Sequence, residues 1–144
     1  MHYGKVTATV SAGRCCECPV SHLGICAAAG EQASASYSRL ARLAGYRSGE
    51  TLVPQGEEAG HAGIIVDGTV KIVSITEDGA AHVLQLLQPG EWAGPVFPDR
   101  PGVAWEAASD VTLCWIALPA LEALMQKEPR LSQALLASAT RQLN

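Results

Sequence analysis

Four cysteines are the residues whose type and placement in this chain could do chemistry. Cys15, Cys18 and Cys26 fall in one short segment near the start, and Cys114 stands alone far along the sequence. Thiolates gathered in one loop, with a partner supplied by a distant strand, suit a soft metal centre. A metal bound by both groups would pin the first segment to the body of the domain, and its loss would release that segment. The arrangement therefore reads as a switch as well as a staple. Cys16 is the spare: a C-x-C spacing could let it replace Cys15, but a thiol outside the ligand set is the simpler reading. Five cysteines, an odd number, also fit poorly with a fully paired disulfide framework.

The elements that must position these thiols can be read from turn residues and periodicity. Residues 1–30 form an arm, short on large apolar residues and ending in Ala27-Ala28-Ala29-Gly30. A short helix is expected across Ser36 to Leu43, with Leu40 and Leu43 on one face and Gly45 closing it. From Tyr46 to Ile116 the chain reads as short strands. Thr51-Leu52-Val53 follows Ser48-Gly49, and Ile64-Ile65-Val66 follows Gly63. Asp67-Gly68 and Asp78-Gly79 are two-residue turn signals leading into Val70–Val73 and His82–Leu84. Val111 to Ile116, which holds Cys114, is the last strand. Many short strands spaced by glycine turns predict a sandwich, jelly roll or barrel. Pro119 then suits the first turn of a helix through Leu121, Leu124 and Met125. Glu128-Pro129 interrupts it, and Leu131, Leu135, Leu136 and Leu143 mark a second helix.

Composition narrows the function. With 144 residues, the chain is one domain able to bury about two-thirds of its unfolded surface. Apolar residues at 48% and charged residues at 17% are those of a globular protein. No apolar run approaches the ~20 residues of a membrane span, and the first residues lack an apolar stretch behind a basic cluster. A cytoplasmic location is expected, where thiols stay reduced and clustered cysteines signal metal or redox chemistry. The net charge is -4, and the ten basic residues form no stripe, so this stretch should not bind DNA by itself. His2, His61 and His82 have no carboxylate or nucleophile at a suggestive spacing, and Ser132 and Ser138 read as polar-face helix residues. Nothing resembles a catalytic triad or a carboxylate pair, so an enzyme is not expected.

The run Cys15-Cys16-Glu17-Cys18-Pro19-Val20-Ser21-His22 to Cys26, a C-x2-C-x7-C spacing, resembles the N-terminus of the oxygen-responsive branch of the Crp/Fnr regulators. Gly49-Glu50, Gly56, Gly68, Gly90 and Asp110-Val111-Thr112-Leu113-Cys114 follow in the family's order, then two helices. The resemblance covers essentially the whole chain. It implies a mainly β fold: the double-stranded β-helix, or cyclic-nucleotide-binding-like jelly roll, with a cysteine-bearing N-terminal arm and C-terminal helices. It implies a [4Fe-4S] cluster held by Cys15, Cys18, Cys26 and Cys114, and a homodimer paired through the C-terminal helix around Leu131–Leu143. DNA would be bound through a winged-helix domain that this chain lacks. The turn Thr76-Glu77-Asp78-Gly79, most simply a hairpin tip, would be a candidate contact for RNA polymerase. The expected division is 1–30 for the cluster arm, 31–128 for the sensory roll with flanking helices, and 129–144 for the start of the dimerisation helix.

The departures from that pattern carry information. Cyclic-nucleotide binders of this fold hold the phosphate with a glutamate after a glycine and an Arg-Ser pair before an alanine. Here those places hold Gly94-Pro95 and Gly102-Val103-Ala104. An ionised phosphate would lack a charge partner in an apolar roll, which is costly, so no cyclic nucleotide is expected. Two other readings stand beside the cluster. Zinc could staple an interaction domain, although four-thiolate zinc sites usually draw their ligands as two close pairs and this chain offers three and one. Alternatively, the roll could take an uncharged small molecule, with spectator cysteines. His22, between candidate ligands, reads as a surface or outer-sphere histidine rather than a ligand.

Overall fold

The computed structural model describes residues 5–9, 18, 20, 23–97 and 99–143. Among the described residues nine strands and four helices follow one another: β1 (Lys5–Thr9), α1 (Gly24–Ala29), α2 (Glu31–Leu40), β2 (Arg42–Tyr46), β3 (Thr51–Val53), β4 (His61–Asp67), β5 (Val70–Ile75), β6 (Ala81–Leu87), β7 (Trp92–Ala93), β8 (Ala104–Ala107), β9 (Val111–Ala117), α3 (Leu118–Lys127) and α4 (Pro129–Leu143). The strands form two antiparallel sheets, ordered β1-β2-β9-β4-β7 and β3-β8-β5-β6. This is the jelly roll with C-terminal helices that the sequence predicts.

Both turn signals fall between strands, but they join them differently. Asp78-Gly79 lies in the tip of the β5–β6 hairpin, where the Thr76 hydroxyl and the Ala80 N–H both donate to the Asp78 carboxylate. These bonds hold the Asp78 carboxyl below its ordinary pKa, the Thr76 bond contributing most. Asp67-Gly68, in contrast, joins no hairpin: β4 belongs to one sheet and β5 to the other. Gly68 is needed there for its positive φ of 90° and because a Cβ would press on the Asp110 carbonyl and lie 3.0 Å from Val111 Cα.

The helix ahead of the roll is also displaced from its expected span. It covers Glu31–Leu40, and Leu43 is a strand residue of β2. Its buried face is Ala33, Ser34, Tyr37 and Ser38, whereas Leu40 is 50% exposed. Glu31 in its first turn and Arg39 in its last complement the helix dipole. At the other end, Pro119 lies in the first turn of α3, and Glu128 leaves the helical region (φ −123°, ψ 83°), as a residue preceding proline is biased to do. That kink separates α3 from α4. Leu131, Ala134, Leu135 and Ser138, spaced i, i+3, i+4, i+7, form the buried side of α4, which packs along α1. Ser138 is therefore buried rather than part of a polar face.

The arm does not hang free over the part described. β1 adds an edge strand to the first sheet, pairing with β2. Val20 and Ile25 belong to the main core at 2% and 0% exposure. No helix among the described residues is long and apolar enough to cross a membrane.

Candidate metal centre

Cys26 is carried by α1, and α1 is fixed by a backbone contact with the roll. The Ile25 N–H donates to the Gly90 carbonyl at 3.1 Å, and the Gly90 N–H donates to Ile65 of β4 at 2.8 Å. Gly24 lies so close that a Cβ there would stand 2.8 Å from the Gly90 carbonyl carbon. Its φ of 49° places it in the left-handed region. The Cys26 carbonyl accepts from the Gly30 N–H at 3.2 Å and the Ser34 hydroxyl at 3.1 Å. α1 thus touches the roll, α2 and α4 together.

Cys114 sits in the middle of β9, opposite Leu43 on one side and Ile64 on the other, and Ile64 is opposite Trp92. Residues opposite one another share a face of the sheet. The edge-on contact of the Trp92 ring with Tyr37, at 6.4 Å and 77°, makes that face the one covered by α2. The Tyr37 hydroxyl donates to the Cys114 carbonyl at 2.7 Å. On the far side of the backbone, Gly63 allows β4 to lie tight against β9, because a Cβ there would fall 2.6 Å from Trp115 Cα. Trp115 carries the Arg42 guanidinium at 4.7 Å and the His61 ring at 4.8 Å. Burial holds His61 below its ordinary pKa, favouring the neutral ring.

Cys18, Cys26 and Cys114 are all half-buried and pack against the same core. α2 contacts the backbone of two of them. Among the described residues, no three His, Cys, Asp or Glu side chains come close enough to hold a metal ion. Cys15, Cys16, Pro19 and His22 lie outside the described residues. In donor chemistry the three described positions suit a soft metal: thiols, half-buried, accessible from solvent. Sequence reasoning missed Ser34, Tyr37 and the α1–α4 packing. The available signal was the polar run Ser34, Tyr37, Ser38 at helical spacing, which marks an inward polar stripe.

Where a cyclic-nucleotide binder would present its phosphate ligands, the Pro95 carbonyl accepts from the Trp92 indole N–H at 3.2 Å. Arg100, the basic residue of that segment, is exposed and donates to the Gly56 carbonyl at 3.4 Å.

Roll, register and flanking helices together define a class. Residues 44–128 match the cyclic nucleotide-binding domain family, and the chain belongs to that family. Over most of its length it is similar to the transcriptional activator protein FnrL of Cereibacter sphaeroides, at 29% identity over 125 residues, covering 85% of this chain and 50% of that protein. The fold is shared with the sensor domain of the transcriptional regulator DNR from Pseudomonas aeruginosa (TM-score 0.68, 19% identity, 86% of this chain and 85% of that one). It is shared also with a CooA mutant from Carboxydothermus hydrogenoformans (TM-score 0.70, 14% identity, 86% and 80%). The chain spans about half the length of the curated relatives it matches.

Proposed function

We propose that this chain is the sensory domain of a Crp/Fnr-type transcription regulator, responding to oxygen or redox state through a [4Fe-4S] cluster held by Cys15, Cys18, Cys26 and Cys114. The observation that carries this reading is that two of the candidate ligands, 88 positions apart in sequence, are gripped by one helix, α2, through hydroxyls a single turn apart. Chain reach bounds where Cys15 can lie. Cys15 is three residues from Cys18, at most ~11 Å of extended chain, and six from Thr9, at most ~22 Å. Thr9 is opposite Arg42, and Arg42 is opposite Trp115, so β1 runs two strand spacings, ~10 Å, from β9.

When bound, the cluster would supply oxygen-labile iron–sulfur bonds between the arm and β9. The protein's own residues would carry the response. Cys26 is on α1, α1 packs along α4, and Arg130 of α4 donates to the Ala28 carbonyl at 3.4 Å. Cys114 is four residues from Leu118, where α3 begins. Movement at either ligand therefore reaches α4. The outward side of α4 consists of Gln133, Leu136, Ala137 and Thr140, with Leu136 69% exposed, and that stripe is the proposed homodimer seam. This revises the expectation that Leu131 and Leu135 line the seam, since both are buried within their own chain. In the whole regulator, DNA would be bound by a further winged-helix domain. A cyclic nucleotide is not part of the reading, because Gly94-Pro95 and Gly102-Val103-Ala104 supply neither the glutamate nor the Arg-Ser pair of a phosphate grip.

The test is anaerobic purification followed by iron, zinc and acid-labile sulfide analysis, with Cys114→Ser alongside. The expected result is equal iron and sulfide in the wild type and loss of the brown chromophore in the variant. Zinc without sulfide, or an unchanged cluster spectrum in Cys114→Ser, would overturn the reading.

A further inference from the structure

α2 is polar where a helix packed on a sheet is ordinarily apolar. Ser34, Tyr37 and Ser38 are 8%, 3% and 0% exposed, while Leu40 faces solvent. A buried hydroxyl is costly unless it is hydrogen-bonded, so the destination of each bond matters. Ser38 bonds within its own helix, to the Ala35 carbonyl at 3.0 Å. The other two reach out of it, and both end on a cysteine: Ser34 on the Cys26 carbonyl and Tyr37 on the Cys114 carbonyl. The Tyr37 ring that delivers its hydroxyl is itself set edge-on against Trp92, whose indole N–H is held by Pro95. The Ser34 bond joins the Gly30 N–H on one oxygen.

We infer that α2 is a template for the metal centre, with Ser34 and Tyr37 as positioning residues. A bond to a cysteine's carbonyl limits how far that cysteine's backbone can move. Two donors at i and i+3 on one rigid helix therefore hold the backbones of Cys26 and Cys114 at a fixed separation. The same bonds tie α2 to both ligands. This inference rests on reading those two cysteines as ligands and assigns the residues that orient them.

Tyr37→Phe keeps the ring and its Trp92 contact and removes only the hydroxyl; Ser34→Ala does the same for the second bond. Ser38→Ala is the control for loss of a buried hydroxyl that touches no cysteine, and Ser34→Thr should restore the bond. Each full chain is loaded anaerobically with iron and sulfide, and the rate of bleaching at fixed dissolved oxygen is followed. Cobalt(II) binding, read by its thiolate charge-transfer band, gives site affinity without a cluster. Tyr37→Phe and Ser34→Ala should each weaken cobalt binding by about tenfold, the loss typical of removing a group that orients a metal ligand. They should also bleach faster, with Ser38→Ala and Ser34→Thr close to wild type. If Ser38→Ala matches the other two, or all bind like wild type, the template is refuted while the ligand reading survives. If the wild-type chain takes up neither cluster nor cobalt through thiolate, the ligand reading fails and the template with it.

Discussion

Replacing Gly24 by alanine tests whether α1 is held on the roll by backbone contact. The comparison that isolates this contact is Gly49→Ala. Both glycines have positive φ, 49° and 91°, but a Cβ at Gly49 would meet nothing within 4 Å, whereas at Gly24 it would press on the Gly90 carbonyl. Conformation alone charges each alanine about 1–2 kcal/mol, and it disfavours Gly24→Ala less, since 49° lies near the left-handed minimum of ordinary residues. Steric contact adds about 1–3 kcal/mol at Gly24. The expected totals are about 1–2 kcal/mol for Gly49→Ala and about 2–5 kcal/mol for Gly24→Ala, a large share of the 5–15 kcal/mol typical of a domain.

The upper end has a limit, because the chain can relieve the clash by lifting α1 off Gly90. That route forfeits the Ile25–Gly90 hydrogen bond, about 0.5–1.5 kcal/mol. It also forfeits the burial of Ile25, fully inside at 0% exposure and worth about 1.5–3 kcal/mol. Urea unfolding gives the two losses from midpoint and slope. Amide exchange at Ile25 reports which route is taken, since lifting α1 exposes that N–H. Gly24→Ala costing no more than Gly49→Ala would refute the docking. A lifted α1 should also lose cluster content although every cysteine remains.

Leu135→Ala should cost about 2–5 kcal/mol in urea unfolding, because Leu135 is 1% exposed and its removal leaves a cavity between helices. Leu136→Glu should leave the fold within about 0.5 kcal/mol and abolish self-association in sedimentation; an unchanged association would move the seam off this stripe. His61 is held below its ordinary 6.5 by burial, so the unfolded chain binds its proton first as pH falls. Its contribution is complete above 6.5 and is lost as pH drops through the folded value. The stability of wild type relative to His61→Gln should therefore decline on acidification below that point, while a pH-independent difference would contradict the burial.

Local signals in the sequence were faithful to local structure and silent about partners. Pro119 and Pro129 mark real helix starts because proline acts through its own backbone. Asp67-Gly68 signals a turn, but a turn does not say whether the strands it joins will pair, and here they enter different sheets. Helix α2 lies earlier than the spacing of Leu40 and Leu43 predicts, because its inward side carries hydroxyls to the Cys26 carbonyl of α1 and the Cys114 carbonyl of β9. Likewise, Leu131, Leu135 and Leu136 of α4 look alike in sequence. Which of them faces inward depends on α1, along which α4 packs closely.

That closeness bears on how a change at the cysteines could be felt elsewhere. α1 is a helix of six residues with three neighbours. It cannot shift against one without disturbing the others, because packed interiors deform in discrete steps rather than continuously. A pull on Cys26 is resisted at Gly90 by backbone, so the compliant side is the one built of side chains, towards Arg130, Leu131 and Leu135 of α4. Arg130 reaches the Ala28 carbonyl and lies over Gly30, where a Cβ would come within 2.6 Å of its guanidinium. The second path, from Cys114 through β9 and α3, arrives at the same end of α4 across the Glu128–Pro129 kink. Both routes thus converge on the first turn of the helix whose outer stripe carries Leu136, and under the proposed function a rotation there would turn that stripe towards or away from a second copy.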